Sequence, residues 1–373
     1  MTPAIEIQNL SKIYPRRNGV PTKAVEQLNL AIAPGEVIGL LGANGAGKTT
    51  TIKMICGLVE PTSGSVQLNG YDVAKQRSAA VQQIGAVLEG TRNIYWRLSA
   101  WQNLLYFGRL KGQRGAALKQ RAQALLSELE LWDRRHEPVR DFSRGMQQKV
   151  AIACALVADP PIVLLDEPTL GLDVQAARTV KEWVRELAMQ RGKTIVLTTH
   201  QLDMAQELCQ RVAIMRQGRL LAEEPIANLL ALLRNEQYEL RVEGRLQQDA
   251  LQLSPQLAHV ATAAALTITH ENGHSVLTCP APSQELLYEL LSAVQQTGMS
   301  LISVQRTEPK LEDVFVHLME SDQMESDLME SDLMESDLME SDLMESDLME
   351  SGEKNSGAKS ARMRQTAGRK EAA

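Results

Sequence analysis

The sequence is poor in cysteine and in aromatic residues, and it has no long apolar segment. Its four cysteines lie far apart and form no CxxC pair, which is unlike a disulfide framework or a typical zinc site. No stretch approaches the roughly eighteen uninterrupted apolar residues of a membrane span. The first residues, MTPAIEIQNLSKIY, lack the apolar core of a signal peptide. We therefore expect reduced thiols and a cytoplasmic location.

Negative charge is concentrated in one segment. The net charge of 373 residues is −7, yet residues 319–351 hold seven Glu and six Asp with no Lys or Arg. The rest therefore carries +6, too little to indicate nucleic-acid binding. This segment repeats MESDL, a period that fits neither helix nor strand, and its like charges repel each other. We predict disorder there rather than a solvated helix, and a disordered basic tail over residues 352–373.

Apolar strands alternate with helix-like stretches over residues 3–232. The strand candidates include AIEIQNLSKIY, EVIGLLG, VQQIGAVLE, PPIVLLDEP, KTIVLTTH and RVAIMRQG. This alternation is typical of a largely parallel α/β sheet. Residues 237–318 predict a small α+β domain, with strands in YELRVEG, ALTITH and SVLTC and a helix in SQELLYELLSAVQQTG.

A glycine-rich stretch, GANGAGKTT, lies between a predicted strand and a predicted helix. It fits G-x-x-x-x-G-K-[ST], in which glycines let backbone N–H groups turn inward around phosphate oxygens. Lys48 is placed to reach the β- and γ-phosphates, and the Thr49 hydroxyl to bind Mg²⁺. The predicted strand before this stretch and the predicted helix after it both fit the motif, which argues against a chance glycine-rich turn. The predicted nucleotide-binding residues here are Gly42, Ala43, Asn44, Gly45, Ala46, Gly47, Lys48, Thr49 and Thr50.

Two acidic residues end another apolar strand, IVLLDEP. Asp166 at the C-terminal edge of that strand would hold Mg²⁺ directly or through water. Glu167 is placed to polarise an attacking water as a general base. Acidic residues at a strand end are also common in turns, but the phosphate loop upstream favours the catalytic interpretation.

The stretch FSRGMQQKVAIACALVA predicts a second helix start that suits an anion. Unpaired N–H groups and the positive end of the helix dipole would face the anion beside Ser143 and Gly145. An ordinary N-cap would explain Ser143 but leaves the glycine unexplained. The question is why one ATP site needs two such helix starts.

Taken in order, these motifs resemble the ATP-binding subunits of ABC transporters over residues 4–232. SRGMQ at 143–147 is similar to the family's signature motif, usually LSGGQ, and GLD at 171–173 to the loop after the acidic strand. His200 matches the switch histidine, and Tyr14 stands where the family stacks an aromatic ring on adenine. The resemblance implies an α/β fold: a P-loop NTPase core with ABC-type β and helical subdomains, then a small α+β C-terminal domain and a disordered tail.

The resemblance also implies an answer to the question of two helix starts. In this family two subunits pair head to tail, and each ATP lies between one phosphate loop and the other subunit's signature helix. Ser143, Gly145 and Gln147 would then bind the nucleotide held by a second copy. Asp173 would bridge the subunits, and His200 would donate a hydrogen bond to the γ-phosphate.

The implied function is ATP hydrolysis, with Mg²⁺, that drives a separate transmembrane permease. The chain would lie peripherally on the inner face of the membrane, with no nucleic-acid partner. Residues 307–318 (TEPKLEDVFVHL) and 88–110 resemble the drug-export type, so an exporter is expected.

Two sites depart from the family pattern. Arg144 replaces the first glycine of the signature and Met146 alters a further position, but Ser143 and Gly145 remain. Glu89 stands where the family has a glutamine that contacts Mg²⁺ and couples to the permease. A carboxylate repels the γ-phosphate unless it contacts the metal, which it binds more strongly than an amide does. We therefore predict a metal contact at Glu89 and a stronger Mg²⁺ dependence.

Three alternative functions fit the sequence less well. Soluble ABC ATPases of DNA repair or translation usually have two cassettes, a long coiled-coil insertion or strong basic patches, none of which is visible. A GTPase would need an NKxD-type motif, which is absent. A protein that binds ATP without hydrolysing it fits poorly with Glu167 and His200.

Overall fold

The fold is taken from a computed structural model, which describes residues 2–16, 19–90, 93–232, 237–244, 266–271, 273–280, 284–296, 298–307 and 310–316. The chain divides into two units, residues 1–312 and 313–373, and every strand and numbered helix below belongs to the first. The MESDL repeat and the basic tail lie outside the described residues, so their disorder stays a prediction.

Fourteen strands are found in the described residues. In chain order they are β1 (Ile5–Tyr14), β2 (Thr22–Ile32), β3 (Val37–Leu41), β4 (Ser63–Leu68), β5 (Tyr71–Asp72), β6 (Ile84–Val87), β7 (Ile162–Asp166), β8 (Thr194–Thr199), β9 (Arg211–Arg216), β10 (Arg219–Pro225), β11 (Gln237–Glu243), β12 (Thr267–Glu271), β13 (His274–Pro280) and β14 (Leu301–Thr307).

Besides a helical stretch at residues 311–316, nine α-helices connect or cover these strands within the described residues. They are α1 (Lys48–Ile55), α2 (Arg77–Gln82), α3 (Ala100–Leu110), α4 (Gly115–Glu128), α5 (Arg144–Leu156), α6 (Val174–Met189), α7 (Leu202–Leu208), α8 (Ile226–Leu232) and α9 (Gln284–Gln296). None of the described helices has the length and apolar character needed to cross a bilayer.

A six-stranded sheet forms the centre of residues 3–232, with the order β10-β9-β3-β8-β7-β6. All of its strands run parallel except β10, which pairs antiparallel with β9. Every residue of β3, β7 and β8 is buried, as expected for parallel strands covered on both faces. The C-terminal ends of these three strands carry the phosphate loop, the acidic pair and His200.

The first predicted strand, β1, does not join this parallel sheet. It pairs antiparallel with β2 and β4 in a separate sheet of order β2-β1-β4-β5. Its near-alternating burial at residues 5–10 is typical of a sheet with one face on the core. Alternation predicted the strand correctly, but it carries no information about which sheet the strand joins.

Helices α3, α4 and α5 pack together beside β6. A capping box starts α3, in which the Ser99 hydroxyl accepts from the backbone of Gln102 and the Gln102 amide accepts from the backbone of Ser99. Gly108 allows a close crossing, because a Cβ there would lie 2.2 Å from a methyl carbon of Leu118 on α4.

The third sheet has the order β12-β13-β11-β14 and is wholly antiparallel. Its core joins Leu240, Val242 and Leu277 of the sheet to Leu290 and Val294 of α9. The predicted strands and helix of this region are confirmed. The domain boundaries at 237 and 318 remain a proposal.

Candidate nucleotide-binding and catalytic site

The phosphate loop joins the end of β3 to the start of α1. Gly47 precedes α1 with a left-handed backbone (φ 106°, ψ −4°), and a Cβ there would lie 2.4 Å from the carbonyl oxygen of Ala24 in β2. Only glycine takes this conformation so close to a neighbouring strand. The loop is thus fixed against β2, and the first N–H groups of α1 lack intrahelical partners, as an anion site requires.

Lys48 is buried at the first position of α1. Its Nζ donates to the carbonyl oxygens of Gly42, at 2.6 Å, and Ala43, at 3.1 Å. Burial lowers the pKa of Lys48 below its ordinary value. Three carboxylates oppose that shift in pKa: Glu167, Asp166 and Glu89. The ammonium therefore lies within the electrostatic reach of all three predicted acids.

Asp166 ends β7 and is almost fully buried. Its Oδ1 accepts from the hydroxyls of Thr198, at 2.5 Å, and Thr49, at 3.2 Å. Its Oδ2 accepts from the backbone N–H of Glu89 at 3.4 Å. Donors from three elements therefore fix the orientation of this carboxylate, which links the phosphate loop to the end of β6.

Glu167 has a left-handed backbone, with φ 49°. For a residue with a Cβ this conformation costs about 1–2 kcal/mol. Its N–H donates to the carbonyl oxygen and to the hydroxyl of Thr198, both at 3.1 Å, which stabilises the turn. Its Oε1 lies 2.9 Å from Nδ1 of His200, whose side chain is 45% exposed. The predicted base and the predicted phosphate sensor are thus in direct contact.

A cavity of about 570 Å³ unites these groups. Its walls include residues 44–50 of the phosphate loop, Glu89, Glu167 and His200, together with residues 22–24 of β2. Gly42 and Ala43 contribute through their carbonyl bonds to Lys48, and Asp166 lies behind Thr49. The structure therefore assembles the predicted phosphate and catalytic residues around one space.

Tyr14 lies outside this cavity, although its strand partner lines it. Tyr14 pairs with Thr22 across β1 and β2, and Thr22 is a wall residue. The ring is 38% exposed, and the ammonium of Lys12 lies 5.2 Å from its centroid. The adenine contact of Tyr14 stays a prediction.

Ser143 and Gly145 begin α5, away from the phosphate cavity. The Ser143 hydroxyl accepts from the backbone N–H of Met146 at 3.3 Å, which makes Ser143 the N-cap. Gly145 is buried, and a Cβ there would lie 2.6 Å from the Cβ of Ala176 on α6. The glycine is therefore required for the close packing of α5 against α6.

Gln147 and Asp173 also have partners within the chain. The Gln147 amide donates to the carbonyl oxygens of Val139 and Phe142, at 3.2 and 3.1 Å, and so closes the turn before α5. The Asp173 carboxylate accepts from the backbone N–H of Ala176 at 2.8 Å and caps α6. Their nucleotide contacts remain predictions.

A second cavity, the α5 cleft, adjoins the first. Its volume is about 340 Å³, and it is lined by residues 88–90, by α5 residues that include Arg144 and Gln148, and by residues 170–172. Glu89 and Glu167 line both cavities. A substitution of either acid therefore alters the lining of both the nucleotide cavity and the α5 cleft.

Thr198 is the main site residue that the sequence interpretation missed. It is fully buried and contacts both acids of the pair. The sequence feature that could have identified Thr198 is a hydroxyl residue directly after the apolar run IVL in a predicted buried strand. A buried hydroxyl needs a hydrogen-bond partner.

The donor set fits Mg²⁺ bound chiefly by substrate. Thr49 and Asp166 present adjacent oxygens, and Mg²⁺ in such sites takes one or two protein oxygens beside phosphates and waters. No cluster of three or more His, Cys, Asp or Glu suited to a metal occurs among the described residues. The described residues therefore form no metal site that is built from protein ligands alone.

Two family profiles match the sequence. The profile "ABC transporter" matches residues 25–170. A second, "Domain of unknown function (DUF8691)", matches residues 237–305 and so coincides with most of the third sheet and α9.

Curated relatives extend the match over most of their own length. "ABC transporter ATP-binding protein NatA" of Bacillus subtilis is 40% identical over 57% of this chain and 87% of that protein. "Linearmycin resistance ATP-binding protein LnrL" of Bacillus subtilis is 31% identical over 84% and 97%. "Daunorubicin/doxorubicin resistance ATP-binding protein DrrA" of Streptomyces peucetius is 32% identical over 85% and 92%.

Solved structures agree on the fold. An ATP-binding subunit of an ABC transporter superposes with a TM-score of 0.55 at 32% identity, over 61% of this chain and 92% of that one. A dimeric ATP-binding cassette in a post-hydrolysis state, bound to ADP and Pi, does so with a TM-score of 0.55 at 28% identity, over 60% and 98%. With the phosphate loop, the acidic pair and His200 around one cavity, the chain belongs to the ATP-binding proteins of the ABC transporter family and is an ATPase.

Proposed function

We propose that this ATPase energises a separate membrane permease that exports its cargo, and that ATP drives its head-to-tail dimerisation. The observation that carries the proposal is the shared cavity of the phosphate loop, Glu89, Glu167 and His200. It links nucleotide binding to Glu89, the position at which the family couples to the permease.

Glu167 acts as the general base that polarises the attacking water, and its contact with His200 orients it. His200 hydrogen-bonds the γ-phosphate. If its Nδ1–H donates to Glu167, the ring can donate to phosphate from Nε2 only as an imidazolium, because a neutral ring has one N–H. Lys48 and the N-terminus of α1 hold the phosphates.

Thr49 and Asp166 are the residues that would hold Mg²⁺, and Glu89 is the third candidate. The metal supplies charge neutralisation at the phosphate oxygens. Because Glu89 adds a carboxylate beside the phosphates, turnover of the wild-type chain should need more Mg²⁺ than that of Glu89→Gln. Identical Mg²⁺ titrations of the two proteins would refute this role for Glu89.

The exposed groups around Asp173 support a dimer. Leu170 and Val174 are 47% and 88% exposed, Asp173 is exposed next to Val174, and Ser143 is exposed at the start of α5. Apolar side chains next to polar helix caps suit a surface that a second copy covers. One of the solved relatives is a dimer bound to ADP and Pi.

Exposed aromatic residues support a permease contact at the membrane. Tyr95, Trp96 and Tyr106 are each 38% to 50% exposed, and the Tyr95 and Tyr106 rings stack edge-on with centroids 4.9 Å apart. They lie between Glu89 and the middle of α3 in sequence. The names of LnrL and DrrA describe resistance to linearmycin and to daunorubicin and doxorubicin, which favours export of a toxic compound.

The substitution Glu167→Gln tests the catalytic assignment. We expect loss of phosphate release by at least about a hundredfold, with retained binding of a fluorescent ATP analogue, because the amide cannot accept the proton of the attacking water. Glu182→Gln is the matched control, since Glu182 is exposed on α6 and pairs with Arg178. Turnover by Glu167→Gln at the wild-type rate would remove Glu167 as the base.

The permease is tested with the same variant, which should hold ATP without hydrolysing it. Membranes are solubilised in mild detergent with ATP and Mg²⁺, and proteins that co-purify with tagged Glu167→Gln are identified. One multi-span membrane protein in equal amount supports the transporter. Ribosomal or DNA-repair proteins alone would favour a soluble ABC ATPase instead.

A further inference from the structure

Both departures from the family motifs line the α5 cleft. Glu89 lies at one wall, after β6, and Arg144 lies at another, at the first position of α5. Of the described residues that line the cleft, the ionisable ones are Glu89, Asp166, Glu167 and Arg144. One cation therefore faces three carboxylates.

The position of Arg144 is unfavourable for the helix itself. The N-terminus of a helix carries a partial positive charge, which favours acidic side chains and disfavours basic ones. The first turn of α5 has no acidic residue, and the guanidinium of Arg144 has no hydrogen bond or ion pair to the described residues. The stability of α5 does not account for this charge.

The guanidinium of Arg144 lies against the loop that follows the catalytic base. Its Nη1 is 3.2 Å from the point that a Cβ on Gly171 would occupy, and Gly171 has φ 72°. This loop leads from Glu167 to Asp173, the N-cap of α6. Arg144 therefore spans from the start of α5 to the loop between the base and the predicted subunit contact.

We propose that Arg144 is a positioning residue for ATP hydrolysis, whose charge in the α5 cleft offsets the extra carboxylate of Glu89. The inference rests on the proposed roles of Glu89 and Glu167. On this basis the two departures compensate for each other: Glu89 adds a negative charge beside the nucleotide cavity, and Arg144 supplies the positive charge that balances it.

The net charge of the four side chains predicts the order of the KM values of the variants. With three carboxylates and one guanidinium, the described cleft carries −2. The variant Arg144→Gln gives −3, Glu89→Gln gives −1, and the double variant returns to −2. Because ATP is an anion, a more negative cleft should weaken its binding and raise the KM for MgATP.

A double-mutant cycle of purified, full-length chains tests the proposal. KM and kcat for MgATP are measured at low ionic strength and saturating Mg²⁺ for the wild type, Arg144→Gln, Glu89→Gln and the double variant. We expect Arg144→Gln to raise KM about tenfold, and the double variant to return within about twofold of the wild type. Added salt should shrink the tenfold effect, since it screens exposed charges.

The conservative variant separates charge from shape. Arg144→Lys keeps the positive charge and should keep KM within about twofold of the wild type, with the same salt dependence. A tenfold increase with lysine would overturn the electrostatic role. So would a double variant whose KM stays about tenfold above that of the wild type, or a Glu89→Gln variant whose KM equals that of the wild type.

Two further arginines give matched controls. Arg140, four residues upstream, is 63% exposed and pairs with Asp141 outside the cleft. Arg140→Gln should therefore leave the KM for MgATP at the wild-type value. Arg92 lies outside the described residues but is close to Glu89 in sequence. A tenfold rise in KM for Arg92→Gln that Glu89→Gln reverses, with no rise for Arg144→Gln, would overturn the assignment to Arg144.

The cycle also separates this inference from the proposed function. An active wild type, an inactive Glu167→Gln and a double variant that keeps the tenfold higher KM would refute only the role of Arg144. Wild-type turnover by Glu167→Gln would refute the catalytic assignment, whatever the cycle gives.

Discussion

Thr198 connects the two acids of the site through one hydroxyl. It donates to Asp166 and accepts from the backbone N–H of Glu167. The left-handed backbone at Glu167 depends on such support, because strained φ values persist only where the surroundings fix them. Thr198 is thus the residue on which the orientation of both carboxylates depends.

Thr198→Val should lower kcat at least tenfold and cost about 1–3 kcal/mol of stability, because it leaves Asp166 and the N–H of Glu167 without this partner. Phosphate release and urea unfolding measure the two effects. Thr194→Val, at the other end of β8, removes a hydroxyl that accepts from Gly35 at 2.9 Å. That control should lose stability and keep kcat, and equal losses of kcat would contradict the role of Thr198.

The buried ammonium of Lys48 predicts a pH dependence. Burial depresses its pKa below 10.5, so the charged form is disfavoured in the folded state and the penalty falls as pH rises towards the unfolded value. The free energy of unfolding of the wild type should therefore rise relative to that of Lys48→Met as the pH increases through the alkaline range towards 10.5. Urea titrations across this range measure the difference, and a constant difference would contradict the prediction.

At the scale of elements, Lys111 attaches α3 to the strand that leads to Glu89. It ends α3, and its Nζ donates to the carbonyl oxygens of Val81, at 2.6 Å, and Ile84, at 3.0 Å. Burial lowers the pKa of this amine as well. A single side chain thus ties the helices α3 and α4 to the start of β6.

Lys111→Met should loosen this attachment without unfolding the central sheet. Removing the ammonium takes one hydrogen bond from each of the two carbonyls, which costs about 1–3 kcal/mol, and the cost should fall on α3 and α4. Amide hydrogen exchange should become faster in these helices and stay slow in β3 and β7. Lys119→Met, at an exposed position on α4, serves as the control, and unchanged exchange in α3 would refute the role of Lys111.

The sequence predicted the elements whose apolar pattern matches their burial. Examples are β3, β7 and β8, together with the motifs at their ends. The sequence did not predict the role of Thr198, because that role arises from the register that sets Thr198 beside Asp166 in neighbouring strands. The α5 cleft was also beyond prediction, since residues 88–90 and 144 are brought together only by tertiary packing. The roles of Ser143, Gly145 and Asp173 still await a test in a dimer.

For the whole molecule, a head-to-tail dimer predicts complementation between two inactive variants. Lys48→Met disables a phosphate loop, and Ser143→Arg disables the helix start that serves the other copy. A mixed dimer contains one site with both defects and one intact site. With random pairing at equal amounts, half of the dimers are mixed, so about a quarter of wild-type activity should return.

The mixture is measured by phosphate release against each variant alone. A gain only on mixing supports a site built by two copies. Activity that stays at the sum of the separate variants would mean that each copy uses its own Ser143, and the head-to-tail arrangement would be wrong.

The four cysteines have a practical consequence for such work. All are buried and outside disulfides, and burial raises the pKa of the Cys56 and Cys209 thiols to about 12. Thiolate is the reactive form, so these native thiols should resist maleimides near neutral pH. A cysteine introduced at Val174, which is 88% exposed, would be the preferred attachment point for a fluorophore. The wild-type chain is in effect a ready background for single-site labelling, and a donor–acceptor pair at position 174 would follow subunit approach in real time.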